Sequence, residues 1–393
     1  MKAVTAATVQ RAKVAVALAF ALNGLALSSW LSRVPAVRDE LALSTAQVGL
    51  LLLCLSLGAV LAIPLSGALV TRLGPARAVL AGSLVVGVSL AGLALALVVG
   101  SAPLAGVFLF TFGTGSSPWD VAMNVEGADV ERRVGRPIMP RFHAGFSLGT
   151  VAGAGLGASS AALRIPVSAQ LGVTAVLVVA VMAAEVRRFL PVHPPAEDTG
   201  RVRARDAWRD RRTILVGLFV LAFALTEGVA NDWLALALVD GHGASQSAGA
   251  VGFGVFVAAM TVGRLTGGSL LARYGRVPTL RAAAVVALAG LLLVVFGEPP
   301  LLVLTGAALW GVGASLGFPV GMSAAADDPA RAASRVAVVA SVGYTAFLAG
   351  PPLIGVVAQA NGILRALLLV VVALVVAFVL AGSTRQDRAT VQG

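Results

Sequence analysis

The sequence predicts an all-α membrane protein of twelve transmembrane helices, arranged as two pseudo-symmetric six-helix bundles. Three observations predict this fold class: long apolar stretches, arginines concentrated in alternate loops, and an internal repeat at an offset of about 200 residues. Of the 393 residues, 58% are hydrophobic and 12% are charged, whereas a soluble domain is about half apolar and one quarter charged. Water is therefore not the main solvent of this chain.

The apolar stretches set the number of expected spans. A bilayer core about 30 Å thick is crossed by about 20 helical residues, and lipid offers no partner to unpaired backbone groups. Most of the stretches exceed the length needed to span, so we expect each to be a transmembrane helix. They run near residues 14–32, 46–70, 78–99, 102–123, 142–163, 165–184, 213–238, 247–271, 282–297, 299–326, 336–360 and 366–384.

The positive charges predict the orientation. The 29 lysines and arginines give a net charge of +11, and most of them lie in alternate loops or near the termini. The opposite loops hold only Arg33, Arg38, Arg164 and Arg365. Because arginine-rich loops stay in the cytoplasm, we expect a multi-pass protein of the bacterial cytoplasmic (inner) membrane with both termini cytoplasmic. The charge is spread over short loops and not gathered into one patch, so no nucleic-acid partner is expected.

A polar segment with three prolines divides the predicted spans six and six. It predicts an N-terminal bundle over residues 1–188, a cytoplasmic linker over 189–211 and a C-terminal bundle over 212–393. Two similar bundles related by an axis along the membrane normal can form a central cavity that opens to either side, which is typical of secondary transporters. Positions that match across the repeat include Asn23 with Glu227, Trp30 with Trp233, Gly67 with Gly268, Arg72 with Arg273, and Gly74 with Gly275.

Several short segments resemble a known family. The segment from Gly263 to Arg276, with a weaker copy from Gly67 to Arg77, resembles the loop signature of the major facilitator superfamily, although Ala272 and Thr71 stand where that signature has an acid. Segments similar to the fucose:proton symporter group, and to an uncharacterised bacterial branch near it, are Trp119–Asn124, Arg141–Ala144, Gly263–Gly267 and Gly317–Pro319. The resemblance implies a secondary transporter in which Asp120 matches a fourth-helix acid implicated in proton coupling and sugar contact.

Three carboxylates fall inside predicted spans: Asp120, Glu227 and Asp232. A carboxylate inside a bilayer is costly, so each is a functional candidate by default. Asp120 and Asn124 are four residues apart and share a helix face, while His143 begins the next span at a comparable depth. We predict that Asp120, Glu227 and His143 take part in proton coupling. The alternative for Asp120 is an acid that is hydrogen-bonded to helix ends and holds an inner gate shut.

Polar and aromatic residues of the first and seventh spans predict a solute site. Glu227 and Asn231 are four residues apart, and Glu227 lies roughly 20 Å along its helix at 1.5 Å per residue. Two tryptophans opposite polar groups suit a sugar-like ligand through ring stacking and hydrogen bonds. The alternative is that Trp30, Asp232 and Trp233 mark the outer membrane interface. The predicted substrate contacts are Asn23, Trp30, Asn124, Asn231 and Trp233.

Glycines and arginines near the predicted inner surface form a second group of candidates. In the loop motif, glycine lets two helices approach, and arginine can sit against helix ends or the inner leaflet. A stripe of four glycines from Gly145 to Gly157, spaced by four, predicts close helix packing. The residues assigned to a gate or to the loop motif are Arg72, Gly74, Arg264, Gly268, Arg273 and Gly275.

Together these features predict a secondary active transporter that moves a small polar, sugar-like solute by alternating access with proton coupling. The alternative is proton-driven efflux of drug-like or natural-product compounds. An enzyme is not expected, because the sequence holds no metal, phosphate-loop or nucleophile-elbow motif. Cys54 is the single cysteine, so no intramolecular disulfide and no metal cluster are expected. We expect no cofactor; the partners are the solute, protons and the lipid bilayer, and the protein is expected to be a monomer.

Overall fold

The computed structural model describes residues 5–135, 138–190, 207–328 and 331–385, and in these ranges the protein consists of helices joined by short turns and loops. The first helices are α1 Ala6–Leu31, α2 Val34–Glu40, α3 Thr45–Leu73, α4 Pro75–Val98, α5 Ala102–Val134, α6 Met139–Ala162 and α7 Val167–Glu185. The later helices are α8 Arg211–Leu236, α9 Gln246–Tyr274, α10 Arg276–Phe296, α11 Pro300–Ala314, α12 Gly317–Ala325, α13 Ala332–Asn361, α14 Ile363–Leu367 and α15 Leu369–Leu380. Most of the predicted linker, residues 191–206, lies outside the described residues.

Among the described residues, ten helical segments are long and apolar enough to cross a membrane. The predicted spans near 102–123 and 142–163 are helical as α5 and α6 but fall outside that set. The first carries Asp120, Glu126 and further charges, and the second is rich in glycine and serine, so both are less apolar than the rest. The all-helical, multi-pass architecture is therefore established, while the count of twelve spans stays a prediction.

The chain divides into two compact units. The first comprises Met1–Ala196 with Ala244–Gly254, and the second comprises Glu197–Gly243 with Val255–Gly393. Within the first unit, Gln246 donates a hydrogen bond to Asp39 at 3.1 Å and Ser247 donates to the carbonyl of Ala158 at 3.1 Å. The opening turns of α9 therefore belong to the first unit.

Local sequence explains where the helices begin and end. The side chain of Ser44 accepts the backbone N–H of Gln47, and the Gln47 side chain accepts the N–H of Ser44, which is a capping box at the start of α3. Gly74 between α3 and α4 and Gly275 between α9 and α10 both have φ of 79°. A side chain is strained at such a φ, so these two motif glycines are required by the turn itself.

The glycine stripe of α6 packs directly on α1. A Cβ added at Gly149 would overlap the carbonyl of Ala21, and one at Gly145 would lie 3.3 Å from the carbonyl of Ala17. Further along, a Cβ at Gly153 would crowd the carbonyl of Leu25 at 2.7 Å. The predicted close helix contact is confirmed, and its partner is the first helix.

Three charged groups join the ends of separate helices in the second unit. Asp327, just after α12, accepts hydrogen bonds from Arg276 at 2.8 Å and from Arg212 at 3.0 Å. The same arginines donate to backbone carbonyls after α15: Arg212 to Ser383 at 3.3 Å and Arg276 to Thr384 at 3.4 Å. One carboxylate therefore binds two arginines that also donate hydrogen bonds to the segment after the last helix. We call Asp327, Arg212 and Arg276 the Asp327 junction.

Asp210 is the N-cap residue of α8. We expect its protonation at low pH to destabilise this end of the second unit. It accepts hydrogen bonds from Thr213 at 2.8 Å and from the N–H of Arg212 at 3.1 Å, and it pairs with Arg335 at 2.9 Å. Burial acts to raise the pKa of Asp210, but the Thr213 bond, the charge of Arg335 and the Arg212 N–H outweigh it and hold the pKa below its usual value.

A depressed folded-state pKa stabilises the protein above the unfolded value of about 3.9, and that stabilisation is lost as the pH falls through the folded pKa. We expect Asp210→Asn to lower the melting temperature in detergent at pH 7, and we expect the difference from the native chain to narrow below about pH 4. Asparagine keeps an N-cap acceptor, so the substitution tests the charge. A difference that is constant from pH 7 to pH 3 would contradict the assignment.

Candidate functional site

Asp120 lies on α5 and is exposed. Asn124, one turn later, donates to the backbone carbonyl of Asp120 at 2.9 Å, and its amide lies 3.5 Å from the carboxylate. In the described part of the chain, the recorded partner of this carboxylate is thus an amide and not a cation. The predicted Asp120–Asn124 pair shares one helix face, as a spacing of four residues requires.

His143 lies at the start of α6 and packs against aromatic rings. Its imidazole meets the Phe20 ring edge-on, with centroids 5.0 Å apart, and Phe20 stacks on Phe142 at 5.8 Å. The residue is exposed. The joint role of Asp120 and His143 in proton transfer stays a prediction.

Glu227 and Arg264 form an ion pair inside the second unit, where the sequence analysis had placed them in separate groups. The guanidinium of Arg264 on α9 donates to the carboxylate of Glu227 on α8 at 2.9 Å. The Arg264 side chain is 33% exposed and the Glu227 side chain is 17% exposed, so neither charged group is fully buried. Glu227 lies sixteen residues into α8, about 24 Å along the axis at 1.5 Å per residue. The pair therefore sits deep within membrane-spanning helices.

The predicted aromatic contacts are buried within their own units. Trp30 is 1% exposed and Trp233 is 0% exposed, and neither indole N–H has a hydrogen-bond partner among the described residues. A solute could stack on either ring only after the surrounding side chains move.

The predicted amide contacts differ in burial. Asn23 is also buried, and its amide nitrogen has no partner in the described part of the chain. Asn231 and Asp232 are half-buried on α8. Asn124 and Asn231 are thus the more accessible of the predicted polar contacts.

The loop-motif residues do not behave alike. Arg72 and Arg273 are exposed, and the guanidinium of Arg273 lies over the ring of Tyr274 at 5.2 Å. A Cβ added at Gly67 or Gly268 would meet nothing within 4 Å, so helix approach is not the role of these two glycines in this conformation. The necessary glycines of the motif are the two with positive φ described above.

Two groups of functional interest were missed by the sequence analysis. The first is the Asp327 junction, whose members lie too far apart in the chain for any local pattern to connect them. The second is the carbonyl of Ser315, which accepts a hydrogen bond from Nε of Arg264 at 3.4 Å. Its signal was available: a proline stands four residues after Ser315.

Comparison with known proteins identifies the family. Residues 16–327 match the model of the Major Facilitator Superfamily. The chain belongs to the major facilitator superfamily. The superfamily expected from the sequence is confirmed.

Relatives of this major facilitator protein are named as transporters. It is 38% identical over 346 residues to an uncharacterized transporter of Sinorhizobium fredii, which covers 88% of this chain and 90% of that relative. Among solved structures it is similar to the nucleoside transporter NupG, with a TM-score of 0.77 at 17% identity over 95% of this chain and 98% of the other. The structure of the Escherichia coli fucose:proton symporter has a TM-score of 0.61 at 17% identity, and the match covers 95% of this chain and 98% of the symporter.

The two solved structures are each 17% identical to this chain, so they show its fold and give no information about its substrate. The protein is a major facilitator superfamily transporter, and it is not an enzyme. Among the described residues, no group of three or more histidine, cysteine, aspartate or glutamate side chains is arranged to hold a metal ion.

Proposed function

We propose that this transporter moves a small polar, sugar-like solute across the bacterial cytoplasmic membrane by alternating access coupled to protons. The observation that carries the proposal is the ion pair of Glu227 with Arg264 within two spanning helices. Charged groups at this depth are expensive, and they are retained where transport uses them. A proton that neutralises Glu227 removes its charge–charge attraction to Arg264, and so couples protonation to the position of α8 relative to α9.

Asp120 supplies a second carboxylate for this function. Its recorded side-chain neighbour is the amide of Asn124, so protonating Asp120 breaks no ion pair in the described part of the chain. Asp120 exchanges protons with a water-filled cavity, while Glu227 converts protonation into movement. His143 remains a candidate for delivering the proton. Asn124 and Asn231 supply accessible hydrogen bonds to the solute, with Asn23, Trp30 and Trp233 joining as the packing opens.

The orientation follows from the charge distribution of the sequence. Arginine-rich loops stay in the cytoplasm, so both termini are cytoplasmic and the protein spans the inner membrane. A monomer is the proposed working unit, because each chain of this superfamily carries both halves of the repeat.

The test is accumulation in proteoliposomes under an imposed pH gradient, with labelled monosaccharides and nucleosides as probes. We expect Asp120→Asn and Glu227→Gln each to reduce gradient-driven accumulation at least about tenfold, because each removes one titratable group, and about 1.4 kcal/mol corresponds to each factor of ten. Glu298→Gln is the matched control: Glu298 is an exposed acid in the loop before α11, and the same substitution there should leave accumulation intact.

Two outcomes would contradict the proposal. Full gradient-driven accumulation by both variants would remove the proton-site assignment. Uptake that is identical with and without a pH gradient in the native chain would remove proton coupling altogether.

Efflux of an apolar compound is the second candidate, and two grooves favour it. A groove of about 400 Å³ lies beside α9 and α10 in the second unit, and one of about 500 Å³ lies beside α3 in the first. Most of the residues that line each groove are apolar, which suits a drug-like compound better than a sugar. Overexpression that protects cells from a toxic apolar compound, with no monosaccharide uptake, would favour efflux.

A further inference from the structure

The tenth predicted span is broken by its own sequence. In a continuous helix the carbonyl of Ser315 would accept the N–H of residue 319, but that residue is proline and has no N–H. The helix accordingly stops at Ala314 and resumes at Gly317. An unpaired carbonyl within a membrane is strongly unfavourable, so the Ser315 oxygen needs another donor.

Arg264 supplies that donor. Its Nε donates to the Ser315 carbonyl at 3.4 Å, while a terminal nitrogen of the same guanidinium donates to Glu227 at 2.9 Å. Arginine suits this task because its planar head carries several N–H groups in fixed directions, so two acceptors can be held at once. One side chain thus joins α8, α9 and the α11–α12 break.

The glycines beside Arg264 explain how α9 comes so near the break. A Cβ added at Gly263 would collide with the hydroxyl of Ser315, and one at Gly267 would collide with the side chain of Leu316. The two glycines are one helical turn apart, so they lie on the same face of α9, and Ser315 and Leu316 pack against this face. The segment Gly263–Gly267 is therefore built to place an arginine against a broken helix.

We infer that Arg264 is a positioning residue that clamps the α11–α12 break, and that the charge of Glu227 holds the clamp in place. Among the described residues, Arg264 forms its ion pair with Glu227. When Glu227 loses its charge, the guanidinium is no longer held over the break, the Ser315 carbonyl loses its donor, and α12 is freer to bend relative to α11. The inference rests on the proposed function only where it makes a proton the agent that neutralises Glu227.

Hydrogen–deuterium exchange of the peptide covering residues 311–325 measures the clamp without any solute. We expect Glu227→Gln and Arg264→Gln each to speed exchange of the α12 amides several-fold relative to the native chain. Arg264→Lys separates the two contacts, because lysine keeps a charge for Glu227 but lacks the fixed second donor for Ser315. It should also speed exchange. Amides of α4, in the other unit, should exchange as in the native chain and so report that each variant is folded.

Combining each of these substitutions with Pro319→Ala gives the most direct test of the clamp, because alanine restores an N–H that can donate to the Ser315 carbonyl. In that background, Arg264→Lys and Glu227→Gln should no longer change exchange at α12. Equal effects of these substitutions with proline and with alanine at position 319, or no effect with proline, would overturn the clamp.

The clamp and the proposed function can fail separately. If Glu227→Gln abolishes gradient-driven accumulation but leaves α12 exchange unchanged, proton coupling stands and the clamp is wrong. If exchange responds as expected but accumulation is unaffected, the clamp stands and the assignment of Glu227 as a proton site is wrong.

Discussion

Gly149→Ala is expected to destabilise the transporter by about 3 kcal/mol, the upper part of the usual range for forcing an extra group into a packed interface. A Cβ at this position would overlap the backbone carbonyl of Ala21 on α1. Backbone atoms cannot rotate away as the end of a long side chain can, so α1 and α6 would have to separate. The measurement is the melting temperature in detergent, which we expect to fall by several degrees.

Gly155→Ala provides the matched control on the same helix. A Cβ at Gly155 would meet nothing within 4 Å, and alanine favours a helix over glycine by about 1 kcal/mol. Its melting temperature should equal or exceed that of the native chain. If the two variants melt together, the contact between α1 and α6 is not what makes the glycine stripe necessary.

Asp327→Asn is expected to destabilise the second unit by about 2 kcal/mol, the scale of a hydrogen bond to a charged group. Asparagine has nearly the same shape but no charge, so Arg276 and Arg212 would face one another without a shared anion. The Asp327 and Arg276 side chains are each 14% exposed, so water screens this repulsion only in part. Thermal unfolding in detergent measures the loss, and peptides after α15 should exchange hydrogen faster because the arginines also bond to carbonyls there.

Asp328→Asn is the control for that experiment, because it removes the adjacent carboxylate. Asp328 is 37% exposed and lies 3.7 Å from Arg331 and 3.9 Å from Arg335, and these two ion pairs are longer than those of Asp327. We expect it to cost less than about 1 kcal/mol. If this substitution destabilises the protein as much as Asp327→Asn, the Asp327 junction has no special role.

Much of the fold could be predicted from the chain alone, because lipid imposes a simple rule. Long uncharged stretches must become helices, since no other structure satisfies the backbone within one segment. The bounds of α4 lie within three residues of the predicted ends, whereas α10 ends one residue early and begins six residues before its predicted start, directly after a loop glycine. The break between α11 and α12 was not foreseen, because apolar composition continues through it and only Pro319 marks it.

The candidate site was predicted less completely. Asp120 with Asn124 follows from helical spacing, which places residues four apart on one face. The pairing of Glu227 with Arg264 joins residues on two helices, and spacing along one helix carries no information about a neighbouring helix. Trp30 and Trp233 were expected to contact the solute, yet both are buried, since an aromatic ring serves packing and binding equally well by composition.

The sequence by itself determined that this protein lies in a membrane, that it is helical and that its motifs resemble a transporter superfamily. The first two properties follow from composition and from the length of the apolar stretches, whereas the third follows from the resemblance of short motifs. Only the tertiary structure decided that Arg264 bridges Glu227 and the Ser315 carbonyl, and that Asp327 gathers two arginines. Such contacts depend on which faces of distant helices meet, and that is decided by side-chain packing over the whole unit.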